Sequence, residues 1–100
     1  MQGIEIYLSA QGGTVELDLR FAADVTEKHI SSLMQQIAVV MAEIDSVDPI
    51  GLTHQLQRDA ERFGEPSIRG IKIRYQYADS RFPEKLDDAL RNSRVNSPLM

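Results

Sequence analysis

Residues 3–9, GIEIYLS, alternate without a break: Ile4, Ile6 and Leu8 fall on one side, Glu5, Tyr7 and Ser9 on the other. Residues 14–21, TVELDLRF, repeat the pattern, with Val15, Leu17, Leu19 and Phe21 set against Glu16, Asp18 and Arg20. Period-two alternation with one polar side predicts two strands, each covered on one face and wet on the other. The link AQGG supplies glycines that accept positive φ, so the two strands are expected to form a hairpin. Setting Leu8 opposite Val15 gathers every apolar residue on one face and puts Glu5 across from Asp18. A third alternation, Ile71, Ile73, Tyr75 and Tyr77 against Lys72, Arg74 and Gln76, predicts one more strand.

The stretch between follows the helical period. Asp24 with Glu27 three places on matches a capping box, predicting a helix from Val25 to Ile44. Its apolar stripe is Ile30, Leu33, Met34, Ile37, Val40, Met41 and Ile44. Asp48–Pro49 signals a second helix start, expected to run to Phe63 on the stripe Leu52, Leu56, Ala60 and Phe63, with Gly64 and Pro66 ending it. Pro83 opens a short last helix to Asn92. The order β-β-α-α-β-α predicts an α+β fold: a three-stranded, mostly antiparallel sheet with a helical hairpin packed on one face. A single domain over residues 1–94 is expected, with a frayed tail at 95–100.

The chain has 100 residues, 42% hydrophobic and 26% charged, enough for one core without a metal or disulfide staple. There is no cysteine, hence no thiol nucleophile or thiolate zinc site. No apolar run reaches the ~18 residues of a membrane span, and the opening residues lack the pattern of a signal peptide. The expected location is cytoplasmic.

Charge changes the picture in one place. The net charge is −4, but residues 1–67 carry eleven acids against four bases and residues 68–100 four acids against seven bases. The basic strand KIRYQY raises the question of nucleic acid. Sheet-type readers stack bases on exposed aromatics amid positive charge. Here Tyr75 and Tyr77 share the face of Ile71 and Ile73, while Lys72 and Arg74 share the face of Glu5, Glu16 and Asp18. A cross-strand charge ladder explains both, and no direct nucleic-acid binding is expected.

Chemistry is sparse. Neither His29 nor His54 has a metal-ligating residue at helical contact spacing. Glu43, Asp45 and Asp48 cluster at the helix–helix link, where capping accounts for them. The expectation is therefore a non-enzymatic protein with no catalytic residue, metal or cofactor.

One helix face departs from a solvated pattern. Opposite the core stripe of the first helix lie Ser31, Ser32, Gln35, Gln36, Val39 and Ala42, small or uncharged where Lys and Glu are usual. Such residues cost less to desolvate than charges, so the face is expected to be covered: by the last helix, a second copy or another protein. Asp59 falls inside the second helix's stripe and is expected either to pair at the core rim or to act as a specificity charge. These features predict a small protein–protein interaction module, a homodimer acting as an inhibitor, immunity-type protein or adaptor through that helix face or a sheet edge. One alternative is an acidic inhibitor seated on a basic nucleic-acid-binding site of a partner, with Glu5, Glu16, Asp18, Asp24 and Asp45 supplying the charge. A second is a small ligand-binding or enzymatic α+β domain using Tyr75, Tyr77 and a histidine.

Overall fold

The computed structural model of the chain describes residues 3–65 and 68–92. The elements are β1 (Ile4–Gln11), β2 (Thr14–Ala22), α1 (Glu27–Asp45), α2 (Pro49–Asp59), β3 (Glu61–Glu65), β4 (Ile68–Gln76) and α3 (Phe82–Arg91). The α+β class holds, but among the described residues the sheet has four strands, in the order β1-β2-β4-β3, all antiparallel. The tail expected at 95–100 lies outside the described residues.

The hairpin forms in a register two residues away from the expected one. Gly12 and Gly13 sit at φ 60° and 81° and make a two-residue turn, with Gln11 paired to Thr14. Positive φ at both central positions matches the right-handed strand twist, which larger residues do not accommodate cheaply. Glu5 therefore faces Arg20 and Tyr7 faces Asp18, in place of Glu5 facing Asp18. A slip of two leaves every side chain on its own face, so the core is the same either way.

Residues 61–65 are a strand and not the end of the second helix. That helix stops at Asp59, and Phe63 pairs with Gly70 of β4. The Phe63 ring lies across Gly70 so closely that a Cβ there would fall within it. Aromatic cover of a strand glycine fixes the pairing of β3 with β4.

The first helix begins later than the capping-box pattern suggests. Thr26, and not Asp24, is the N-cap, its hydroxyl accepting from His29 N at 3.1 Å. Val25 and Ile30 flank that cap and are both buried, the spacing of a hydrophobic staple. Ser46 closes the helix in the left-handed conformation at φ 57°. Asp48 caps α2 as its sequence suggests, accepting from Gly51 N at 2.9 Å, with Pro49 in the first turn.

The three helices cover one sheet face. α1 packs between α2 and α3, α3 against β1, and α2 against β4. Ile4, Leu17, Leu19, Phe21, Ile37, Met41, Phe82 and Leu86 are fully enclosed between the layers. Each such side chain contributes about 1.5–3 kcal/mol. Tyr75 and Tyr77 sit at the rim of this core, their rings 5.3 Å from that of Phe82. Among the described residues no layer covers the opposite sheet face.

Candidate protein interaction surface

The uncovered sheet face is a lattice of charges. Glu16 pairs with Arg74 at 3.0 Å, and Arg74 reaches Glu61 at 2.9 Å. Arg20 lies 3.4 Å from Asp18, and Asp18 is the register partner of Lys72. Two aromatic rings stand among them, Tyr7 at 51% and Phe63 at 41% exposure. The guanidinium of Arg20 sits 5.5 Å from the Tyr7 ring and the ammonium of Lys72 5.9 Å from the Phe63 ring. Acids and bases interleave across this face, so no field of one sign develops on it.

The acidic residues singled out from the sequence do not form one patch. Glu5, Glu16 and Asp18 lie on the open sheet face beside Arg20, Arg74 and Lys72. Asp24 is exposed in the loop before α1. Asp45 is an internal tie: its carboxylate accepts from the Tyr75 hydroxyl at 2.5 Å and from the amides of Ala78 and Asp79. Partial burial pushes that carboxyl up, but these three donors outweigh it and hold the group below its ordinary range. Asp59 is exposed at the last turn of α2, 3.2 Å from Arg58, and not inside an apolar stripe.

His29 and His54 sit on α1 and α2, the former half-buried and the latter exposed. Among the described residues no group of three or more His, Asp or Glu is placed to hold a metal ion. None of the helices described is long and apolar enough to cross a membrane.

The outer face of α1 divides. Ser31, Ser32 and Gln35 are exposed, Val39 is 40% exposed, and Gln36 is half-buried with its amide 3.3 Å from the Ser32 hydroxyl. Ala42 is 2% exposed and belongs to the core. Gln35, Gln36, Val39, Val40 and Glu43 line a shallow hollow there. α3 packs along α1, and Ser31, Ser32, Gln35 and Val39 keep their exposure beside it.

The two sheet edges differ sharply. Antiparallel ladders alternate between residues whose backbone groups face the neighbouring strand and residues whose groups face away. Ala22 N donates to Gly3 O at 2.7 Å, which fixes the phase: Glu5, Tyr7, Ser9 and Gln11 bond to β2. Ile4, Ile6, Leu8 and Ala10 therefore turn their N–H and C=O groups outward, where no strand among the described residues meets them. β1 carries no proline and no basic residue, and Glu5 is its single charge. The side chains of Ile6 and Leu8, beneath the sheet, are only half-buried. The β3 edge is five residues long, is interrupted by Gly64 at φ 147° and carries Arg62, whose guanidinium grips Glu27 of α1 at 2.8 Å. Short length and charge blunt an edge; β1 is eight residues long and carries only Glu5.

Sequence reasoning placed the alternation of β1 but could not assign it to an edge. Phe63 was hidden by its position on an apparent helical stripe. No family model matches the chain, and comparisons with curated proteins and with solved structures found no match.

Proposed function

We propose that this chain is a non-enzymatic protein-interaction module that takes an extended segment of a partner along the free edge of β1, in the manner of an adaptor or inhibitor. The observation that carries this reading is the row of outward-facing backbone groups at Ile4, Ile6, Leu8 and Ala10. Main-chain pairing along an exposed edge supplies affinity, and alternate side chains supply specificity. An incoming strand would also cover the half-buried Ile6 and Leu8. The α1 ridge with Val39 is the second candidate surface, and it offers no comparable set of unpaired backbone groups. An acidic inhibitor of a nucleic-acid site fits less well, because Glu16 and Asp18 are engaged by arginines and Asp45 by Tyr75.

The test is affinity capture with two baits. Leu8→Lys places a charge on the inner side of the edge, and it is expected to lose the proteins that the unaltered chain retains. Val39→Glu is expected to keep them. Retention by Leu8→Lys with loss by Val39→Glu would move the site to α1.

A further inference from the structure

We infer that the segment seated on β1 is β1 of a second copy, paired antiparallel about a two-fold axis through Tyr7, so that two four-stranded sheets become one. This rests on the edge reading above and names its occupant.

An isologous contact requires a strand to be its own complement when reversed. Reversal about Tyr7 sets Ile6 against Leu8 of the other copy, Glu5 against Ser9, and Ile4 against Ala10. Each pairing joins like with like in polarity, and the one charge of the strand meets a hydroxyl instead of another carboxylate. The backbone phase singles out this register. Only residues with outward N–H and C=O groups can bond across the new edge, and these are Ile4, Ile6, Leu8 and Ala10. Centring on Tyr7 pairs all four and makes about eight main-chain bonds, whereas centring on Ile6 or Leu8 leaves one of the four without a partner. An axis placed between two residues would set inner side chains opposite outer ones and turn the second set of helices to the wrong face.

The same geometry handles the side chains. Ile6 and Leu8 of both copies meet beneath the joined sheet, beside α3, which packs on β1. Above it the two Tyr7 rings face each other as a non-hydrogen-bonded pair, the closer of the two antiparallel spacings, each with an Arg20 guanidinium nearby. The other possible occupant within the chain, residues 93–100 (SRVNSPLM), has Pro98 in it, and proline cannot donate to a ladder.

The chain has no cysteine, so introduced thiols report the register directly. A non-hydrogen-bonded antiparallel pair has Cα atoms about 4.5 Å apart, within disulfide reach. Under mild oxidation Tyr7→Cys is expected to give mostly linked dimer. Glu5→Cys and Ser9→Cys are expected to stay unlinked alone and to link when mixed. Light scattering on the full chain should give the mass of two copies at tens of micromolar. Leu8→Lys should weaken the dimer at least tenfold, and so should Ala10→Pro, which removes only an outward amide. Circular dichroism confirms that each variant is folded. A wild-type monomer overturns the inference, as does linkage through Ser9→Cys alone or a dimer untouched by both edge variants. A monomer that pairs only after residues 93–100 are deleted also overturns it, and assigns the edge to the chain's own end. If the wild type is monomeric yet Leu8→Lys still loses its captured partner, the second copy is wrong and the edge reading stands. Retained capture sinks both.

Discussion

The Tyr75 hydroxyl donates to the Asp45 carboxylate at 2.5 Å, joining the last residue of α1 to β4 across thirty positions of sequence. The same carboxylate takes the amides of Ala78 and Asp79, so one side chain gathers the end of a helix, the end of a strand and the approach to α3. Asp79 in turn accepts from Arg81 N and holds Lys85 at 2.7 Å. The outer layer is thus locked to the sheet at the end where the β1–β2 turn lies.

Two pH limits follow from this tie. The Asp45 carboxyl is held low, so its contribution to stability is present above the unfolded value near ~3.9 and lost as pH falls through the lower folded value. Burial first, and then the bond to Asp45, push the Tyr75 hydroxyl up to about 12. Its contribution is full below the unfolded value near ~10 and is lost as pH rises through the folded one. Urea midpoints measured across pH should fall at both ends. Tyr75→Phe is expected to cost about 1 kcal/mol at neutral pH and to shrink the alkaline fall. An alkaline fall of unchanged size in Tyr75→Phe would assign it to another group.

None of this tie was legible in the sequence, where Asp45 reads as one of three acids near a helix link. A carboxylate and a tyrosine far apart announce nothing until the topology sets α1 beside the end of β4. The strands were legible because period two is strict in β1, β2 and β4 and leaves little freedom of face. Their register was not, since a shift of two residues preserves every face and only the Gly12–Gly13 turn decides it. β3 was missed for a related reason: Leu56 and Phe63 are seven apart, two helical turns, so local pattern favoured continuing α2. The strand is specified by its partner Gly70, not by its own sequence. The candidate surface was half legible, as an unusual helix face and an unspecified sheet edge.

That partner relation gives a double-mutant cycle. Gly70→Ala should expel the Phe63 ring from its seat, because the new methyl occupies its place. The cost is expected to be about 1 kcal/mol, with Phe63→Ala costing a similar amount. Made together, the two changes should cost clearly less than their sum, since the clash disappears with the ring. Denaturant unfolding of the four proteins measures the coupling. Strict additivity would show that the ring does not rest on Gly70.

Ser46 is the one non-glycine residue with positive φ among those described. Its amide completes the end of α1 by donating to Ala42 O, so the conformation is fixed by the helix terminus. Ser46→Gly should relieve the left-handed cost, and the gain is partly offset by greater freedom of the unfolded chain. A net stabilisation of about 0.5–1 kcal/mol is expected in urea unfolding. A loss of stability would show that the Ser46 side chain contributes more than its backbone strain costs.

The two candidate surfaces can be separated in one comparison. Val39→Glu combined with Gln35→Lys puts opposite charges one turn apart on the exposed α1 ridge, where both side chains already meet water. Stability is expected to stay within about 0.5 kcal/mol of the parent, because no core contact is lost. If β1 is the working edge, light scattering should give this variant the same mass as the parent, while Leu8→Lys falls to a single chain. The logic turns on desolvation: charges at Gln35 and Val39 matter only if another surface must strip their water. Dissociation of the α1 variant with survival of Leu8→Lys would place the contact on the ridge. Ser31, Ser32 and Gln35 would then be the covered residues, and the open backbone of β1 would be left without a role in association.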